Sequence, residues 1–322
     1  MRTSNLELFR IVAMLGIIMS HYQFFLLDLI SVVPSSPIAI FQSLFSMWGK
    51  TGINCFMLIT GYFMCTKEIS KRKYIKLIVQ IYFYNILIQG IFMCIGIIPV
   101  NILSILNILM PFRHINMSNF ITVFLLFYLF IPFVAILIRN LSQENHKKLA
   151  ILSTSVYIIY NTIPGFSMKT DAVVWFIIIM IISSYIRFYN PKILLKISSG
   201  GGVICIILCA MITVAILSHF YPSYYYHFTG DANSIFALIV SISLFGFFLN
   251  CKINHNKYIN LFGGAAFGVL LIHSNCKAMR ELIFIKIIDT QTYYLEGNWL
   301  VPIISCLLTE LSQVKIHKRD LT

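Results

Sequence analysis

The sequence predicts an all-α protein, a single polytopic bundle of about ten membrane-spanning helices with both termini in the cytoplasm. Hydrophobic residues make up 59% of the 322-residue chain and charged residues only 11%, too little polar surface for a soluble domain. The apolar residues fall in repeated runs of about 20, the length a helix needs to cross the hydrocarbon core of a bilayer. The cations then sort by side. With a cytoplasmic N-terminus, the inner segments hold 17 of the 24 lysines and arginines and the outer loops hold 5, a bias that orients membrane proteins. The same sorting accounts for the formal net charge of +13, so no nucleic-acid partner is expected.

The expected spans are 7–27, 44–65, 75–99, 118–139, 148–164, 172–189, 200–219, 233–250, 258–276 and 297–311, forming one transmembrane domain over residues 1–322. The first, around NLELFRIVAMLGIIMSHYQ, is interrupted by His21 and lacks a small-x-small cleavage site, so it reads as a retained helix and not a signal peptide. It also holds Glu7 and Arg10. At about 100° per residue, Arg10 and His21 lie three turns apart on one face, roughly 16 Å along the axis. Ionisable groups within a membrane helix are expensive and face a bundle interior or a wet path, which makes both functional candidates. Glu7 is one turn before Arg10, so a local ion pair is the plain alternative reading of that arginine.

The second span, WGKTGINCFMLITGYFMC, puts Gly52 and Gly61 two and a half turns apart, on opposite sides of the helix. Lys50 and Asn54 near its start are candidates to face a polar cavity. A basic loop follows, with Lys67, Lys71, Arg72, Lys73 and Lys76. It reads either as positive-inside anchoring beside anionic lipid or as a seat for the phosphates of a cytosolic donor. After the third span, residues 101–112 are apolar but too short to cross, as are 282–288. The fifth and sixth spans are short. The ninth ends GGAAFGVLLIHSN with His273 at its outer end, read either as a wet interfacial histidine or as a candidate cavity residue, and the tenth gives way to polar sequence after about Glu310.

Eight cysteines sit in or beside apolar runs without a CxxC pair, and read as small core residues. No HExxH or HxxxH spacing appears, so no metal is expected. There is no GxSxG elbow, P-loop or HxxxxD.

Four segments, taken in order, carry a family likeness. LELFRIVAMLGIIMSH resembles an opening LDxLR…H, with Arg10 and His21 at the matching spacing. GINCFMLITGYFMC resembles GVxxFFxISGYF, NFITVFLLFYLFIPF resembles WFxxxYLxLYLLxPF, and AFGVLLIHSN resembles TFGVYLIHDN. The ordered set is similar to acyltransferase family 3, integral membrane O-acyltransferases of which many bacterial members acetylate surface polysaccharides. The resemblance implies a bundle of about ten helices, with an acyl-CoA, by default acetyl-CoA, as the donor and no bound cofactor. It also implies a glycan or lipid-linked sugar as acceptor and the bacterial cytoplasmic membrane as location. It carries the catalytic roles onto Arg10 and His21, and the family's RxxR onto Lys73 and Lys76 with Arg72 adjacent. Lysine supplies charge there without the guanidinium fork. Asn119 and Leu271 replace a Trp and a Tyr of the family pattern. A transporter, flippase or polymerase for lipid-linked sugars is the alternative from composition alone; acyl-CoA dependence separates an enzyme from a carrier.

Overall fold

Helices hold almost every residue that the computed structural model describes, namely 3–27, 36–67, 70–110, 120–163, 172–221, 227–287 and Ile304, and no strand occurs among them. In chain order they are α1 (Ser4–Leu27), α2 (Pro37–Met64), α3 (Lys71–Cys94), α4 (Ile102–Leu109), α5 (Phe120–Arg139), α6 (Gln143–Thr162), α7 (Ala172–Tyr189), α8 (Lys192–Ile197), α9 (Gly200–Phe220), α10 (Ile235–Asn250), α11 (Lys257–His273) and α12 (Lys277–Arg280), followed by a π-helical stretch, Glu281–Ile287. Helix starts are written locally. Ser36, Ser70, Ser142, Ser199 and Ser234 each accept a hydrogen bond from the backbone N–H three residues on, and Asn101 does the same for α4. Each such cap satisfies an N–H group that the helix itself leaves unpaired.

Among the described residues, α3, α5, α7 and α9 are long and apolar enough to cross a membrane. A fifth candidate is α11 together with Lys277–Ile287, bent by 108° at the break after His273. Nine of the ten expected spans coincide with helices, but α1, α2, α6 and α10 are not among those that qualify by length and composition, and α11 qualifies only together with the segment after its bend, so four to five spans are supported among the described residues. The tenth expected span, 297–311, lies outside the described residues apart from Ile304, as do Arg113, Asn119 and Lys169. α4 has eight residues with exposed Ile102, Leu103 and Leu109, consistent with a stretch too short to cross.

The chain divides into two compact units, Met1–Glu68 with Phe124–Gly263, and Ile69–Val123 with Gly264–Thr322. In the first, α2 is the hub, packing against α1, α7, α9 and α10. Its approach to α1 is backbone-close. A Cβ added at Gly52 would lie 2.5 Å from the Ala13 carbonyl oxygen, one at Gly16 would lie 2.9 Å from the Trp48 carbonyl oxygen, and one at Gly49 would overlap the Ser20 side chain. Ala13, Gly16 and Ser20 therefore interlock with Gly49 and Gly52, a small-residue seam of the kind that lets helices pack where lipid removes the hydrophobic drive. Gly61 faces the other way, against Met180 and Ser183 of α7, so Gly52 and Gly61 do serve opposite faces of α2.

In the second unit, Asn85 of α3 donates to the Asn107 and Ile108 carbonyls at 3.2 and 2.8 Å, holding the end of α4 against α3. The cysteines are mixed. Cys55 and Cys65 are buried, as expected of core residues, whereas Cys94, Cys205 and Cys209 are exposed on α3 and α9. Apolar helix faces point to lipid as readily as to a core, so an apolar run does not bury its cysteines.

Candidate active site

α1 runs unbroken through Glu7, Arg10 and His21, as the spacing predicts. Its N-terminal end is tied down by side-chain bonds. Ser4 Oγ donates to Asn260 Oδ1 at 3.0 Å and accepts from the Asn256 N–H at 2.9 Å, while Asn5 Nδ2 donates to the Phe248 carbonyl at 2.9 Å. Phe9 stacks on Phe248 with centroids 4.9 Å apart. These contacts hold α1 against the end of α10 and the start of α11.

Within that frame the local ion pair forms. Arg10 Nη1 donates to Glu7 Oε1 at 2.8 Å. The glutamate is buried at 5% exposure, and the arginine is half-buried. Glu7 Oε2 is buried and accepts no hydrogen bond among the described residues. It lies against Gly263, where a Cβ would come within 2.5 Å of the Glu7 carbonyl oxygen and 2.7 Å of Oε2. The glycine that opens the GGAAFG stretch thus makes room for the carboxylate that orients Arg10.

His21 is half-buried one residue beyond Ser20, which occupies the notch over Gly49. Lys50 follows Gly49, so His21 and Lys50 lie at the same level of the α1–α2 pair. Asn54, one turn further along α2, is fully buried, donates to the Ala232 carbonyl at 2.7 Å and accepts from Trp175 Nε1 at 3.0 Å. Asn161 donates to Asn233 Oδ1 at 2.9 Å, and Ser46 donates to Thr229 Oγ1 at 3.1 Å. Segment 227–234 is therefore clamped to α2 and α6 by buried polar groups, and Asn54, with both its oxygen and its nitrogen engaged, also ties that clamp to Trp175 of α7.

The remaining expected site residues lie in the second unit. Arg72, Lys73 and Lys76 are exposed on the first turns of α3. His273 is fully buried, which sets aside its reading as a wet interfacial histidine. Its Nδ1 donates to the Val269 carbonyl at 2.7 Å, one turn back. The chain bends sharply just after it, and Arg280 of α12 returns to donate to the Ser274 carbonyl at 3.4 Å.

The acyltransferase domain family matches residues 3–311, nearly the whole chain, and so spans α1, the Glu7–Arg10 pair and the buried His273 together. The chain belongs to acyltransferase family 3. No curated protein and no solved structure matches it. For this family 3 acyltransferase, the segment carrying the resemblance in α1 is also the one pinned on both faces, by α2 along the small-residue seam and by Gly263 at Glu7. A buried histidine outside the motifs was not singled out by the sequence. His146 of α6 is fully buried, and its Nε2 lies 3.0 Å from the Ile181 carbonyl oxygen and 3.2 Å from Ser184 Oγ. It sits in QENHKK, a polar stretch whose single inward position shows only once the helix is built. A pocket of about 330 Å³ opens beside it, walled by apolar residues including Ile186, Leu194 and Ile242, with Lys147 and Lys192 also lining it.

Proposed function

We propose that the protein is an O-acyltransferase of the bacterial cytoplasmic membrane. It moves an acyl group, by default acetyl, from a cytosolic acyl-CoA to a hydroxyl of a surface or lipid-linked polysaccharide. Nine helical stretches and the cation sorting favour the full count of about ten spans, with both termini inside. The observation that carries the reading is α1 itself. It is one unbroken helix, matched within the family and locked to α2, bearing a neutralised Glu7–Arg10 pair at one end and His21 at the other.

In this reading the imidazole of His21 takes the proton of the acceptor hydroxyl as its oxygen attacks the acyl carbonyl. The new C–O bond forms, the C–S bond of the thioester breaks, and the departing thiolate recovers the proton from the imidazolium. Arg10 offers its remaining N–H groups to a ligand oxygen while Glu7 fixes its orientation.

The test is the O-acetyl content of the host's surface polysaccharide, read by NMR in a deletion strain complemented with wild type or His21→Ala at matched membrane levels. General-base loss lowers turnover about 10²- to 10⁴-fold. Acetyl signals restored only by wild type support the assignment. Equal restoration by both removes His21 from the reaction, and restoration by neither turns the polysaccharide acceptor away.

A further inference from the structure

On the side where α2, α5 and α7 end, three cations gather around one helical turn. Arg139, in the last turn of α5, donates from Nε to the Cys65 carbonyl at 2.9 Å. Arg187, in the last turn of α7, lies with its guanidinium carbon 4.5 Å from the centroid of the Tyr62 ring. Lys67 Nζ is 5.4 Å from the Phe63 ring centroid. Tyr62 and Cys65 are three residues apart, hence neighbours on the helix surface with Cβ atoms about 5–6 Å apart. The close approach of Gly61 to Met180 and Ser183 is what brings Arg187, one turn further along α7, over Tyr62.

Two properties set this cluster apart from ordinary membrane-flanking cations. Both guanidinium groups are held, one by a hydrogen bond to a helix end and one by stacking on an aromatic face, so little side-chain freedom is left to lose on binding. Neither has an acidic partner among the described residues, where the ion pairs are Arg10–Glu7, Lys148–Glu144 and Lys277–Glu281. The helix ends do not use up the charge. Three C-termini carry about −0.5 each, which leaves the three cations with an excess of roughly 1.5 positive charges. Arg139 bonds the Cys65 carbonyl through Nε and Arg187 stacks through its face, so neither anchor takes up the terminal N–H groups that phosphate oxygens accept.

We propose that Arg139 and Arg187 bind the phosphate groups of the nucleotide-linked acyl donor, in the role that the resemblance carries onto Lys73 and Lys76. The proposal rests on the acyl-CoA donor of the reading above.

The test uses the full-length protein in phosphatidylcholine nanodiscs and 3′,5′-ADP, the nucleotide end of coenzyme A, with binding read by calorimetry. Wild type is expected to bind. Arg139→Ala and Arg187→Ala each weaken binding at least about tenfold, since a hydrogen bond to a charged group is lost. Arg139→Lys and Arg187→Lys, which keep the charge and hold the fold, recover it only in part, and Lys192→Ala leaves it unchanged. Equal binding by wild type and all arginine variants overturns the inference and leaves the acyltransferase reading standing, with the phosphates held elsewhere. Wild type that ignores the nucleotide but is thermally stabilised by phosphatidylglycerol through these same arginines also overturns it, assigning the cluster to lipid headgroups. Wild type that neither binds nucleotide nor transfers acyl groups from acyl-CoA removes the donor reading along with it.

Discussion

At the scale of the residue, the pairing that matters is Glu7 with Gly263, which no local pattern announces. Arg10 and His21 were legible because helical periodicity is local and charge in an apolar run is conspicuous. The partner of Glu7 was not, because it comes from the other end of the sequence. Gly263→Ala should therefore behave as an overpacking change, costing about 1–3 kcal/mol as the methyl pushes on Glu7, and its acyl transfer should fall as Arg10 loses its orientation. Thermal unfolding in detergent alongside an activity assay checks both, and wild-type values would show that the site relaxes around the methyl. Gly90→Ala is the contrast. A Cβ there meets nothing within 4 Å, so the change should stabilise α3 by about 0.5–1 kcal/mol. The interfacial reading of His273 fails for a related reason. A histidine at the end of an apolar run reads as interfacial until the bend that covers it is known.

At the scale of the element, the α1–α2 seam and the clamp on segment 227–234 fix the candidate site. Apolar content in a membrane protein does not mark the inside, because lipid-facing and core-facing positions are equally apolar. The signal that does mark contact is residue size, and Ala13, Gly16 and Ser20 at helical spacing opposite Gly49 and Gly52 are that signal. Gly49→Leu should separate the two helices and lower both the unfolding temperature and the yield of folded protein. Retention of wild-type stability would mean that the pair slides to accommodate the side chain. Trp175→Phe tests the clamp. It leaves Asn54 Oδ1 buried without its donor, at a cost of about 1–3 kcal/mol. Limited proteolysis should then cut within 227–234 in the variant and spare the wild type; equal resistance would mean that the clamp holds without this bond.

At the scale of the whole molecule, the all-helical class and the family were readable from the order of soft motifs, each weak alone and specific in sequence. The span count was less so. α10 and α11 are short, and the bend after His273 turns what reads as a straight run into two segments, so length alone cannot fix how many times the chain crosses. Reporter fusions decide it. A phosphatase fused after Thr322 should be inactive and a cytoplasmic reporter active if both termini are inside. The opposite result would require an odd number of crossings or an inverted bundle.

The contact between Glu7 and Gly263 also has a consequence for biosynthesis. At ribosomal speeds of about 5–20 residues per second, the glycine is made roughly 10–50 s after the glutamate. The hairpin of α1 and α2 is complete within the first 64 residues and can enter the bilayer early, with Arg10 at 2.8 Å neutralising Glu7 in the meantime. The notch that receives the carboxylate arrives only near the end of translation. A nascent chain halted before α11 should thus contain an inserted first hairpin and an unfinished candidate site, and any activity that depends on that site should appear only late in folding.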